Sequence, residues 1–141
     1  MSYDSNNIFA RILRGEIPAH KVFEDEHTLA FMDVMPQVDG HTLVIPKAAA
    51  ENIHDVPQAA LAATILATQH VAGAVQRAFA APGILIAQLN GSAAGQSVFH
   101  LHFHVLPRHD GFDLRFHARS MADHALLAEH AARVRAALEE S

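Results

Sequence analysis

The 141-residue chain contains no cysteine, which excludes disulfides and thiolate metal sites. It has no tryptophan and one tyrosine, and its ten Lys and Arg residues are scattered. A protein that grips a nucleic-acid backbone needs clustered cations, so that class is excluded and no nucleic-acid partner is expected. Long apolar runs are missing too. The longest, around residues 59–80, is broken by Gln69, His70, Gln76 and Arg77 and does not read as a membrane span. Met1-Ser2-Tyr3-Asp4-Ser5-Asn6-Asn7 has neither a basic segment nor an apolar one, so no targeting signal is read and a cytoplasmic location is expected. Half the residues are hydrophobic, 18% are charged and the net charge is −5. That composition suits one globular domain with a real core. Small phosphorylated ligands stay compatible with it, because backbone N–H groups hold phosphate without a basic patch.

Periodicity divides the chain into short elements. Ile8 to Arg14 has apolar residues at helical spacing, with Asn6 or Asn7 as cap and Gly15 as terminator. Lys21–Glu24, Thr28–Asp33 and His41–Pro46 read as strands, the last stopped by its proline. A long Ala-rich helix is predicted from Asp55 as N-cap, with Pro57 just inside, to about Ala80. Leu61, Ile65, Ala72, Val75 and Phe79 mark its packing face. Ile84–Leu89, continuously apolar, suits an interior strand. After Arg108-His109-Asp110-Gly111 the stretch to Ser120 reads as irregular, and a last helix runs from about Asp123 to Glu140. Five strands with helices between and after them predict an α+β domain built on a mostly antiparallel sheet.

What the chain has in quantity is histidine, 12 residues in all. Val98 to Leu106 alternates strictly, which predicts a half-buried strand. Phe99, Leu101, Phe103 and Val105 share one face; His100, His102, His104 and Leu106 share the other. Same-face neighbours on a strand lie roughly 6.5–7 Å apart, so three imidazoles would stand in a row. Two chemistries fit them. Imidazoles at i and i+2 suit zinc or another transition metal, with His41 as a further ligand. Alternatively, one imidazole attacks phosphorus and forms a covalent intermediate. The second reading also uses Gly95-Gln96-Ser97. Glycine lets the backbone approach a phosphate, and Gln, Ser and backbone N–H groups stabilise charge on its oxygens.

Gly95-Gln96-Ser97-Val98-Phe99-His100-Leu101-His102-Phe103-His104-Val105-Leu106 resembles the signature of the histidine-triad (HIT) family, His-x-His-x-His followed by two apolar residues. The resemblance extends to Ile8–Ala19, which looks like the amino-terminal signature of the Hint branch, and to Leu29–Val34 and His41–Lys47. It covers about residues 8–108, and the helix after Asp123 is similar to a carboxy-terminal extension of many bacterial members. It implies one HIT domain over 1–141, with a core of about 8–108 and an extension of about 109–141. The implied fold is a five-stranded, mostly antiparallel sheet with a long central helix and a C-terminal helix; that last helix is expected to cover the sheet or dimer seam rather than to gate the substrate.

The implied activity is hydrolysis of purine nucleotide conjugates at the α-phosphorus, by a homodimer without cofactor. Adenosine phosphoramidates, acyl-adenylates and dinucleoside polyphosphates are the candidate substrates. His102 would be the nucleophile, flanked by His100 and His104. Asp33 would bind the ribose hydroxyls, as a two-point acceptor can. Ile12 and Val34 would lie near the base, Gln96, Ser97 and Gly95 near the phosphate, and His41 beside the triad. On the residues alone, Asp33 reads as a solvated strand end, and His41 equally as a buried structural histidine.

Three departures from the family pattern stand out. Asn7, Ala10 and Ala49 occupy positions where many relatives carry ligands for a structural zinc whose fourth ligand is the first triad histidine. No metal is therefore expected. Leu89 replaces an Asn or Gln that touches phosphate or leaving group, leaving Asn90 as the nearest amide. It also keeps a second function in view, a nucleotide-binding interaction module whose catalysis is weak or lost. His104 stands where the uridylyltransferase branch has Gln, which favours hydrolase over transferase.

Overall fold

The computed structural model describes residues 2–111 and 121–140, and in the last helix the side chains of 134 and 137–140 lie outside that description. Two compact units divide the chain, Met1–Asp110 and Gly111–Ser141. The first is α+β. In chain order it holds α1 (Ile8–Leu13), β1 (Lys21–Glu24), β2 (Thr28–Met32), β3 (Thr42–Pro46), α2 (Gln58–Ala78), β4 (Gly83–Gln88) and β5 (Phe103–Arg108). The strands form one antiparallel sheet in the order β1-β2-β3-β5-β4. The second unit carries α3 (His124–Glu140). Its first turn has Asp123 Oδ1 accepting from the Ala125 N–H, and Glu129 and Arg133 pair one turn apart at 2.7 Å. The irregular stretch read after Gly111 falls on 112–120, outside the described residues.

Alternation in the strands loads both faces of the sheet. β2 and β3 pair Ala30 with Val44 and Phe31 with Leu43, so neighbouring rungs point to opposite sides. On one side Ala30, Val44, Phe103 and Val105 pack with Ala67, Val71, Ala72 and Val75 of α2. On the other, Leu29, Phe31, Leu43 and Ile45 pack with Phe9 and Ile12 of α1. Removing each of these larger side chains from water contributes about 1.5–3 kcal/mol. α1 begins where Asn7 Oδ1 accepts from the N–H groups of Phe9 and Ala10.

Four expectations change. First, α2 starts after Pro57, which takes the N-cap position without a side-chain cap bond. The Asp55 carboxylate instead accepts from the N–H groups of Glu51 and Asn52, closing the loop before the helix. Second, α2 buries Thr64, Ala67, Thr68, Val71, Ala72 and Val75, while Ile65 and Phe79 stay partly exposed. Small residues let the helix lie close to the sheet, and each buried threonine hydroxyl donates to the carbonyl four residues earlier. Third, β4 is an edge strand rather than an interior one, and Ile86 remains 44% exposed. Fourth, β5 begins only at Phe103. His100 and His102 precede it in irregular backbone, tied in by the Leu101 N–H donating to Ala50 O at 2.8 Å. The three imidazoles therefore do not stand in a row.

Candidate active site

On the α1 side, the part of the sheet that α1 leaves uncovered forms a cleft of about 400 Å³. Phe9 and Ile12 wall one side, Phe31 and Leu43 the floor, and His41, His102, His104 and Asp33 supply the polar groups. Val34 and Met35, 76% and 82% exposed, rim it. Two large apolar side chains at a cleft mouth do nothing for the core, so their apolar area is available to a flat ligand.

Hydrogen bonds to backbone groups fix each tautomer. His102 Nδ1 lies 2.7 Å from His100 O. A carbonyl only accepts, so Nδ1 carries the proton and Nε2 keeps a lone pair that no hydrogen bond occupies among the described residues. The His102 ring is 6% exposed and meets Phe9 edge-on at 5.0 Å and His104 at 4.8 Å. Burial pushes its pKa below the ordinary imidazole range, so the ring stays neutral. A neutral, clamped imidazole with one nitrogen free has the form a nucleophile needs.

His41 and His104 form a second chain. The Gln37 N–H donates to His41 Nδ1 at 3.1 Å, so the His41 proton sits on Nε2. From there it faces His104 Nδ1 at 2.9 Å, with Asp33 Oδ2 at 3.4 Å. His104 is thus the acceptor at Nδ1 and carries its own proton on Nε2. Burial lowers the His41 pKa against the pull of Asp33. Burial, then the neighbouring His102 and His41, bring His104 down to about 4. Asp33 is held by its Oδ1, which accepts from the Met35 N–H at 2.8 Å.

Among the described residues, Asp33, His41 and His104 bring three potential metal donors within 4.8 Å of one another. The Gln37 N–H argues against that use. A metal on His41 Nε2 would require a proton on Nδ1, where Gln37 already donates. The set is better described as a hydrogen-bond relay.

The loop residues split into two groups. Gly95 and Ser97 line the cleft, and so does Leu89. Gly95 is at φ +99°, a conformation that favours glycine. Its N–H and that of Gln96 donate within the loop, to Ser92 O and Gly91 O. Gln96 and Asn90 are not in the cleft lining. The Gln96 side chain accepts from the Gly91 N–H and donates to Glu51 O and Val98 O. Asn90 accepts from the Ile53 N–H and exchanges two bonds with Gln88. Both amides staple the loop. His100 is absent from the lining as well. It is fully buried, its Nε2 donating to Pro46 O at 2.8 Å and its Nδ1 accepting from the Tyr3 hydroxyl at 2.5 Å. Phe9, Met35 and the Gln37 N–H were not singled out from the sequence. Phe9 had a signal, because it lies one helical turn from Ile12; a backbone N–H has none.

The structural zinc that many relatives carry does not fit these residues. Asn7 spends its side-chain oxygen on the α1 cap, Ala10 and Ala49 offer no donor, and His100 Nδ1 is taken by Tyr3.

The family model described as HIT domain matches residues 14–111. The chain is similar to the protein hit of Bacillus subtilis (strain 168), 44% identical over 110 residues covering 76% of each chain. A solved Hit-like protein from Bartonella henselae, described as involved in cell-cycle regulation, is 46% identical, with TM-score 0.78 and coverage of 96% of this chain and 99% of that one. A histidine triad nucleotide-binding protein from Candida albicans superposes with TM-score 0.83 at 28% identity, over 96% of this chain and 99% of its own.

Proposed function

The chain belongs to the HIT family, and we propose that it is a nucleotide hydrolase acting at the α-phosphorus of purine nucleotide conjugates. Adenosine phosphoramidates, acyl-adenylates and dinucleoside polyphosphates are the substrate class. HIT proteins are in general nucleotide-binding hydrolases and transferases, and the Candida albicans relative is a nucleotide-binding protein. The observation that carries the reading is the His102 Nδ1–H bond to His100 O, which leaves Nε2 free in a side chain lining the cleft.

In this reading the base lies among Phe9, Ile12, Val34 and Met35, and Asp33 accepts from the ribose hydroxyls. His102 Nε2 bonds to the α-phosphorus as the bond to the leaving group breaks; the leaving group departs with the electron pair and takes up a proton. Water then attacks the same phosphorus, loses a proton, and the phosphorus–nitrogen bond breaks. A nucleoside monophosphate is released and Nε2 recovers its lone pair. Ser97 and the His104 Nε2–H donate to phosphate oxygens, which gain charge in each transition state. No step calls for a cofactor.

We further propose a homodimer built through β4. Among the described residues no strand pairs with the outer edge of β4, and Ile84 and Ile86 share an apolar groove with Ile65, Leu66 and Ala72 of α2. Among the described residues no helix is long and apolar enough to cross a membrane, and a cytoplasmic location remains part of the proposal. Leu89 favours a second reading, a nucleotide-binding interaction module, because an aliphatic wall beside the triad offers the departing group no hydrogen bond.

Turnover of adenosine phosphoramidate by the wild type and by His102→Ala separates the two. The hydrolase reading expects loss of about a thousandfold or more in kcat, with nucleotide still bound. Binding without turnover by the wild type itself would leave the interaction module standing.

A further inference from the structure

His100 is a triad member with no access to the cleft. Its ring is 0% exposed and both of its nitrogens are committed to protein partners. Nε2 faces Pro46 O, so it carries the proton, and burial keeps the ring neutral. Nδ1 must then accept, and the Tyr3 hydroxyl is the donor that meets it. The same residue's carbonyl oxygen receives the His102 Nδ1–H. A continuous path runs from Tyr3 hydroxyl to His100 ring to His100 carbonyl to the His102 ring, whose other nitrogen is the free one.

We propose that Tyr3 is a positioning residue for His102, acting through His100 from a segment 97 residues away in sequence. The inference rests on the proposed role of His102.

The segment that carries Tyr3 is itself pinned. The Asn7 amide donates to Asp4 O at 2.7 Å, the Asn6 N–H donates to Asp4 Oδ1 at 2.9 Å, and the Arg14 guanidinium donates to Ser5 O at 2.6 Å. The Tyr3 and His100 rings meet edge-on, with centroids 5.7 Å apart and planes at 67°. A hydroxyl held this way gives His100 Nδ1 a donor without a metal. That matters because the donor set for a zinc at this point is missing, with Ala10 and Ala49 among its positions. Without the hydroxyl, a buried ring nitrogen has no donor. Exchanging tautomers would set a bare Nε2 against Pro46 O, so the ring gains instead by shifting toward another donor, and that shift moves the carbonyl that fixes His102.

The test is Tyr3→Phe in the full chain, which keeps the ring and removes only the hydroxyl. Two readouts are taken: the imidazole nitrogen-15 signals of His100 and His102 by NMR, and kcat and KM for adenosine phosphoramidate. The expected result is a moved His100 Nδ1 signal, a His102 ring no longer held as a single Nδ1–H tautomer, and kcat lowered about tenfold with KM unchanged. Unchanged His102 ring signals in the variant overturn the proposal, whatever happens to the rate. Altered ring signals with wild-type kcat overturn it too. If the wild type has no turnover, the proposed hydrolase fails, and the ring signals alone decide whether Tyr3 positions His102. A thermal melt of the variant accompanies both. A general loss of folding with the His102 tautomer intact in the remaining folded protein counts against the proposal.

Discussion

The two faces of the sheet are made from the same strands and yet do opposite things. Towards α2, the rungs Ala30, Val44, Phe103 and Val105 meet Ala67, Val71, Ala72 and Val75, and the small residues let helix and sheet close together. Towards α1, the alternate rungs Phe31 and Leu43 meet a helix of six residues, too short to cover them. The uncovered part is the cleft, and its polar groups enter from the ends of strands and from loops. His104 sits between Phe103 and Val105, so one step of strand parity separates a candidate functional side chain from two core ones. Stability and chemistry are thus divided by face, and a change on one side should leave the other largely alone.

The largest separable effect is expected on the cleft face. Asp33→Asn keeps the shape of the side chain and its acceptor for the Met35 N–H while removing the charge that would bind ribose. KM for an adenosine substrate should rise about 10- to 100-fold with little change in the unfolding midpoint. Steady-state kinetics beside a urea titration checks both halves. Equal loss of stability and affinity would break the division between faces.

The converse change is Ala67→Leu on the α2 face. Ala67 is buried against the sheet, and the added carbons have no space there. The folded state should lose about 1–3 kcal/mol while KM stays as in the wild type. A KM shift in the still-folded variant would mean that packing on one face reaches the other.

The smallest expected effect is on pH dependence. Burial lowers the folded pKa of His41, His100, His102 and His104 below the ordinary 6.5. Between those folded values and 6.5 the unfolded chain binds more protons, so stability falls as pH falls. The contribution is intact above pH 6.5 and is lost as pH drops through the folded values, His104 titrating at about 4. Urea midpoints measured at about pH 7 and about pH 5 should differ in that direction. His104→Asn should reduce the difference, since one of the four depressed groups is gone. An unchanged difference in the variant would remove His104 from the account.

Much of the fold was legible because strand alternation and helix caps are local. Asn7 caps α1 by a bond to residues two and three places on, and the register of β2 with β3 follows from Leu29, Phe31, Leu43 and Ile45 sharing one face. The errors came where a tertiary contact overrides a local pattern. The alternation from Val98 read as a strand throughout, but the partner strand pairs only from Phe103, and the chain before it is held by Ala50 instead. Ile65 and Phe79 looked like packing residues by size, whereas closeness of α2 to the sheet favours alanine and threonine. At the site, His102, His104, Asp33 and Ser97 were named from the motif, and the cleft brings them together. Gln96 and Asn90 were assigned to ligand contact, since a sequence does not say which backbone groups an amide will meet first. Tyr3 carried no signal at all, because its partner is remote in the chain and the tail that holds it has no periodicity.

The central claim is that His102 Nε2 is the atom that attacks phosphorus. Mixing the protein with adenosine phosphoramidate, quenching in the first turnovers and mapping modified peptides by mass spectrometry tests it directly. The account predicts a mass increase of one adenylyl group on the peptide spanning His102, absent in His102→Ala. Rapid turnover with no adduct on His102, or with the adduct on His100 or His104, would contradict it.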